Sequence, residues 1–214
     1  MTPENTAAPK PKLRGVLHLI GALIALPAGL TLCVEAEERF TWGAIIYSAA
    51  LFCLLATSAT YHVPNWSERP RALLRKLDHA MIFLLIGGSF LPFLMALSDH
   101  VLWVIPALMC VGTIVGVLRS LFMEVSSKAV RAASYGSFGL TALFLTPAIY
   151  QHLGGGILAL VLGGGAVYCL GASAYAFKRP NLLKELFGYH ELFHLCVNVG
   201  ATLHFVAIWR VIVG

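Results

Sequence analysis

The sequence predicts an all-α membrane protein, a seven-transmembrane helix bundle with its N-terminus in the cytoplasm and its C-terminus outside. Three observations carry that expectation. The 214 residues are 58% hydrophobic and 12% charged, with a mean hydropathy of +0.80, whereas a soluble domain carries about 25% charged residues. Apolar runs of about 20 residues, the length that crosses bilayer hydrocarbon, recur along nearly the whole chain. Between them the basic residues alternate, so that thirteen of the fifteen Lys and Arg fall on one side. The positive-inside rule makes that side cytoplasmic.

Taken in order, Met1–Arg14 is a short basic, Pro-containing tail, and residues 15–214 form one membrane domain with no room for a soluble one. The tail resembles the start of a secretion signal. The apolar stretch after it is too long and lacks a small-residue cleavage pattern, so residues 15–34 are expected to stay as the first span. An acidic turn with Glu35, Glu37 and Glu38 leads to span two at 42–61, which Pro64 ends. A basic loop at 65–76 precedes span three at 77–97, and Asp99-His100 turns into span four at 101–118. Gly112 and Gly116 in span four suit close helix packing. Arg119, Lys128 and Arg131 fill the next loop before span five at 134–150. Span six follows a turn at 151–154 and ends at Phe177; Lys178, Arg179 and Lys184 then precede span seven at 190–213.

The five cysteines (Cys33, Cys53, Cys110, Cys169, Cys196) lie inside apolar runs with no CxxC spacing, so neither a disulfide framework nor a thiolate zinc site is indicated. They are expected to be small buried hydrophobes. The net charge of +5 follows loop topology, so no nucleic-acid partner is expected.

The last span opens with Tyr189-His190-Glu191-Leu192-Phe193-His194, and Asn198 and Thr202 continue the spacing. Positions i and i+4 share a helix face, so both imidazoles can reach one ion. A polar stripe in hydrocarbon needs partners. The predicted topology supplies them: span two ends, and spans three and seven begin, at the cytoplasmic level, bringing His62, Asp78, His190 and His194 to one layer. Ser58 lies one turn deeper than His62 on the same face. Three imidazoles and a water are a common open zinc site, and a carboxylate such as Asp78 can hydrogen-bond that water and move its protons. The bland alternatives are an Asp78 that caps its helix, an interfacial His62 and a chance HxxxH. His79 points about 100° from Asp78 and is read as packing; His204, about 15 Å deeper than His194, cannot share the ion. His18 lies near the site without an evident partner, and His100 and His152 are outer-turn residues.

Ser58-Ala-Thr-Tyr-His62, Lys76-Leu-Asp78 with the run to Pro92-Phe93, His190-Glu-Leu-Phe-His194 and Ala201-Thr-Leu-His204-Phe together resemble the progestin and adiponectin receptor superfamily, specifically its bacterial hemolysin III branch. The resemblance covers essentially the whole chain, without the large N-terminal region of the eukaryotic receptors. It implies a Zn2+ ion held by His62, His190 and His194, with Asp78 engaging the bound water and Ser58 nearby. It also implies kinship with alkaline ceramidases, while the branch name implies membrane lysis. Glu191 stands where receptor-branch members often carry Gln, which completes an HExxH string of the zinc-protease type.

The expected protein is therefore a zinc-dependent hydrolase of lipid amides or esters in a bacterial cytoplasmic membrane. A membrane lipid or fatty-acid-like ligand would occupy the bundle cavity, with Asp78 and Ser58 as the catalytic groups. The alternatives are a non-enzymatic membrane regulator or cytolysin with structural zinc, and an intramembrane HExxH protease.

Overall fold

A computed structural model describes residues 13–123, 127–183 and 186–214. The tail lysines Lys10 and Lys12, most of the tail reading, and Lys184 lie outside these. Among the described residues there are seven helices long and apolar enough to cross a membrane. We label them α1 (Val16–Glu35), α2 (Thr41–His62), α3 (Glu68–Ala96), α4 (Val104–Phe122), α5 (Lys128–Leu153), α6 (Gly155–Phe177) and α7 (Tyr189–Ile212). Helices satisfy their own backbone groups, which is what hydrocarbon demands of a spanning segment.

Neighbours in sequence pack side by side from α1 to α4, α6 lies along α7, and α5 packs on α6. Contacts of α7 with α1 and α3 close the bundle. Tyr47, Leu51, Leu85, Phe93, Val197 and Ile208 are buried inside it. Leu23, Ile24, Leu108 and Leu170 are exposed on its outside, the inverse of a soluble protein and the pattern a lipid surround requires. Trp42 and Trp103 project outward at the end where α2 and α4 begin, where amphipathic indoles favour the membrane interface. The glycines of α4 pack as their spacing predicts: a side chain on Gly116 would collide with Phe83 of α3, and one on Gly112 with Phe138 of α5.

Three expectations are corrected. The basic stretch read as a loop at 65–76 is mostly helix, because α3 begins at Glu68; hydropathy finds only the embedded part of a helix whose first turns are amphipathic. Likewise α5 begins at Lys128 rather than 134, and its second half is irregular, with a 3-10 stretch at Leu140–Leu145 and a π turn at Ile149–Leu153. Pro147 explains the break, since it has no N–H for the Leu143 carbonyl. The Thr146 hydroxyl donates to that carbonyl instead, at 2.8 Å. Finally, only Cys196 of the five cysteines is buried; Cys53, Cys110 and Cys169 sit on the exposed face of the bundle.

Candidate metal centre

The C-terminal end of α2 and the N-terminal end of α7 meet at one end of the bundle, beside the third turn of α3. His62, the last residue of α2, is 8% exposed and His194 is 2% exposed. His62, His190 and His194 each offer a ring nitrogen, and these atoms lie within 4.8 Å of one another. The rings meet edge to face, with centroids 4.7 Å apart for His62–His190 and His190–His194 and 5.1 Å for His62–His194. Nitrogens this close to one another can serve as ligands of one ion.

Asp78 comes from the adjacent helix. Because α3 starts ten residues earlier, Asp78 lies inside the helix and does not cap it. Its Oδ2 stands 3.9 Å from His62 Nε2, too far for a direct hydrogen bond. Ser58, one turn before His62 on α2, lines the same cavity as Asp78. All five residues line a cavity of about 1400 Å³, larger than an ordinary drug-sized pocket. It extends from Trp66 and Asn181 in the connections to Phe93 and His204, and much of its deeper wall is apolar, with Leu54, Leu85 and Val161. His79, expected only to pack, lines this cavity too.

Two residues that motif spacing left unassigned complete the site. His18 of α1 is buried and stacks on His194, centroids 3.9 Å apart and planes at 9°. Neither of its ring nitrogens makes a hydrogen bond of normal geometry, although a backbone group of His194 is nearby. Arg14, just before α1, donates from Nε to Glu191 Oε1 at 2.8 Å, and Gly188 N–H donates to Glu191 Oε2 at 2.9 Å. Glu191 is fully buried and absent from the cavity wall. Both of its oxygens are thus engaged in capping α7 and pairing with Arg14, which accounts for the acid in the HExxH string without a proton-transfer role. Between Arg14 and His18, Gly15 has φ 83° and lies so close to His62 that an added Cβ would stand 2.6 Å from the His62 Cβ. The start of α1 therefore touches all of the ligand-bearing segments.

The remaining histidines lie apart. His204 Nε2 is 3.0 Å from the Val161 carbonyl and its ring meets Tyr168 edge to face. His100 and His152 stack on each other at 3.6 Å in the opposite turns. Asn198 donates to the Leu17 carbonyl at 2.8 Å, tying α7 to α1, while Thr202 back-bonds to Asn198 at 2.9 Å and faces outward.

The donor set fits a zinc ion. Three imidazoles from two helices suit its borderline-soft, tetrahedral chemistry. The His194 Nδ1 atom, buried with no hydrogen-bond partner, is the kind of orphaned polar atom that a native interior rarely keeps without such a role.

Fold and site together define a class: a seven-helix integral membrane protein with a three-histidine, one-carboxylate cluster at one end of its bundle. The haemolysin-III related family model matches residues 6–205, and the chain belongs to that family. It is 27% identical over 198 residues to hemolysin-3 of Bacillus cereus, covering 90% of this chain and 87% of the relative. It is also 27% identical over 212 residues to the adiponectin receptor protein of Drosophila melanogaster, covering 90% of this chain but 47% of that receptor. Human monocyte to macrophage differentiation factor is 26% identical over 186 residues, covering 81% and 71% respectively.

Proposed function

We propose that this protein is a zinc-dependent hydrolase of lipid amides or esters, acting from the cytoplasmic leaflet of a bacterial inner membrane. The observation that carries the reading is the placement of a three-histidine cluster and a carboxylate on the wall of a cavity large and apolar enough for an acyl chain. His62, His190 and His194 would hold the ion, which when bound polarises a carbonyl and acidifies water.

The chain's own groups supply the rest. Asp78 addresses the space beside His62 without bonding to it, so its carboxylate can accept a proton from an attacking water and return it to the leaving amine or alkoxide. Ser58, on the same cavity wall, can donate to that carboxylate or to a developing oxyanion. His18 holds the plane of His194 by stacking. The apolar wall takes the acyl chain and keeps bulk water from it. Ten described Lys and Arg residues in the connections and helix ends on the site's side of the bundle support the cytoplasmic placement.

The name of the Bacillus relative supports a second reading, a lytic or regulatory membrane protein in which the histidines hold a structural ion. Turnover separates the two. Zinc-loaded protein in nanodiscs is expected to hydrolyse short-chain N-acyl amides, and Asp78→Asn to lose at least about 100-fold of that rate while keeping its zinc. Absence of turnover with every lipid amide and ester tried would favour the structural ion.

A further inference from the structure

The cavity does not end on a purely apolar wall. Its deep end, which includes Phe93, Leu145 and Ile149, also takes in Tyr168 of α6 and His204 of α7. His204 stands ten residues beyond His194 on one helix, about 15 Å deeper. The two rings are seated reciprocally. A side chain on Gly164 of α6 would collide with the His204 ring, and a Cβ on Gly200 of α7 would stand 2.9 Å from Tyr168 Cε1. Each helix thus keeps a glycine where the other's ring must fit, and the rings meet edge to face with centroids 5.3 Å apart. His204 Nε2 lies 3.0 Å from the Val161 carbonyl. A carbonyl only accepts, so Nε2 carries the proton, and in the neutral ring Nδ1 is a bare acceptor. Among the described residues neither Nδ1 nor the Tyr168 hydroxyl has a hydrogen-bond partner. Neither is sealed in protein as the Tyr47 hydroxyl is. An acceptor and a hydroxyl are therefore left open to a ligand, deep in an apolar chamber.

Helix adhesion accounts for Nε2 but not for these two groups, because the interhelical bond is complete at the Val161 carbonyl. Ionisable and polar side chains held at membrane depth and turned to a cavity mark what binds there. Resting on the reading that the cavity takes an acyl chain, we propose that Tyr168 and His204 form a second subsite, which binds a hydroxyl near the far end of that chain. A hydroxyl satisfies both groups, since it donates to His204 Nδ1 and accepts from Tyr168. A ketone has no proton for Nδ1, and a terminal carboxylate would bring a charge to membrane depth. An extended chain advances about 1.2 Å per bond, so about twelve bonds separate a carbonyl at the histidine cluster from the subsite. The substrate class is thus an amide or ester of a long-chain acid hydroxylated at that distance from its carbonyl.

The test is a binding measurement on zinc-loaded wild-type protein in phosphatidylcholine nanodiscs, with fatty acids as probes so that nothing is consumed. Each affinity is corrected for partitioning into empty nanodiscs. The 12-hydroxydodecanoate anion is expected to bind about tenfold more tightly than dodecanoate, and 6-hydroxydodecanoate no more tightly than dodecanoate. Tyr168→Phe, which keeps the ring in the Gly200 notch, should remove most of that preference and leave dodecanoate binding and zinc content unchanged. Equal affinity for 12-hydroxydodecanoate and dodecanoate, an equal gain from the hydroxyl at carbon 6, or a preference that Tyr168→Phe does not lower would overturn the proposal. The comparison of acids on the wild type needs no variant to fold. Saturable binding by neither acid would remove the acyl-chain reading together with the subsite. A position-specific preference in a protein that hydrolyses no lipid amide or ester would sustain the subsite and sink the hydrolase.

Discussion

Arg14 and Glu191 face each other across 2.8 Å, so the residue before α1 is fastened to the start of α7, whose first two turns carry His190 and His194. The acid that makes the HExxH string is spent on that fastening and on the Gly188 amide. Its neighbourhood is that of a positioning residue, while Asp78 faces the cavity.

The first prediction separates these two carboxylates. Glu191→Gln keeps an oxygen for the Gly188 amide and loses the ion pair, so its expected cost is about 1–3 kcal/mol of stability, toward the low end because Arg14 can turn to water. Most of the activity should remain. Asp78→Asn should do the opposite, preserving the melting temperature and removing turnover. An inactive Glu191→Gln protein beside an active Asp78→Asn protein would restore the protease-like reading.

A second prediction concerns Gly15. Alanine there would adopt a left-handed φ at a cost of about 1–2 kcal/mol and press on His62. Gly15→Ala is expected to lower the melting temperature and make bound zinc easier to strip with a chelator. Unchanged zinc retention would show that the approach of α1 to His62 does not matter to the site.

Stacking of His18 on His194 leads to a third. His18→Ala should still bind one zinc per chain, with affinity lowered by about 10-fold, the usual scale for a group that orients a ligand. Competition against a fluorescent chelator measures it. Complete loss of zinc would instead make His18 a ligand, and an unchanged affinity would reduce it to packing.

Much of this arrangement is legible in the sequence, for a physical reason. Hydrocarbon imposes a length on each apolar run and a side on each basic loop, and i, i+4 spacing on one helix puts His190 and His194 on one face. Equal depth then gathers His62 and Asp78 to them. Contacts between the ends of the chain carry no such signal: Arg14 and Glu191 are 177 positions apart, and nothing in the spacing of Gly15 or His18 announces a partner on α2 or α7. Helix starts were blurred where amphipathic turns, as in Glu68–Lys76, extend a span beyond the apolar core. The break of α5 at Pro147 and the Thr146 hydroxyl that compensates it follow only from the backbone geometry.

The fourth prediction is topological. Reporters inserted after residue 40 or fused at Gly214 should face the periplasm, and reporters in the turn at 63–67 or near residue 180 should stay in the cytoplasm. The distribution of Lys and Arg motivates it. A periplasmic signal from the turn at 63–67 would put the histidine cluster on the outer side.

Zinc stoichiometry in the purified protein tests the central claim most directly. Mass spectrometry should find one zinc per chain in the wild type and in His204→Ala, and none held stoichiometrically by His62→Ala, His190→Ala or His194→Ala. Full occupancy in folded His62→Ala protein would contradict the account, because α2 would then contribute no ligand to the centre.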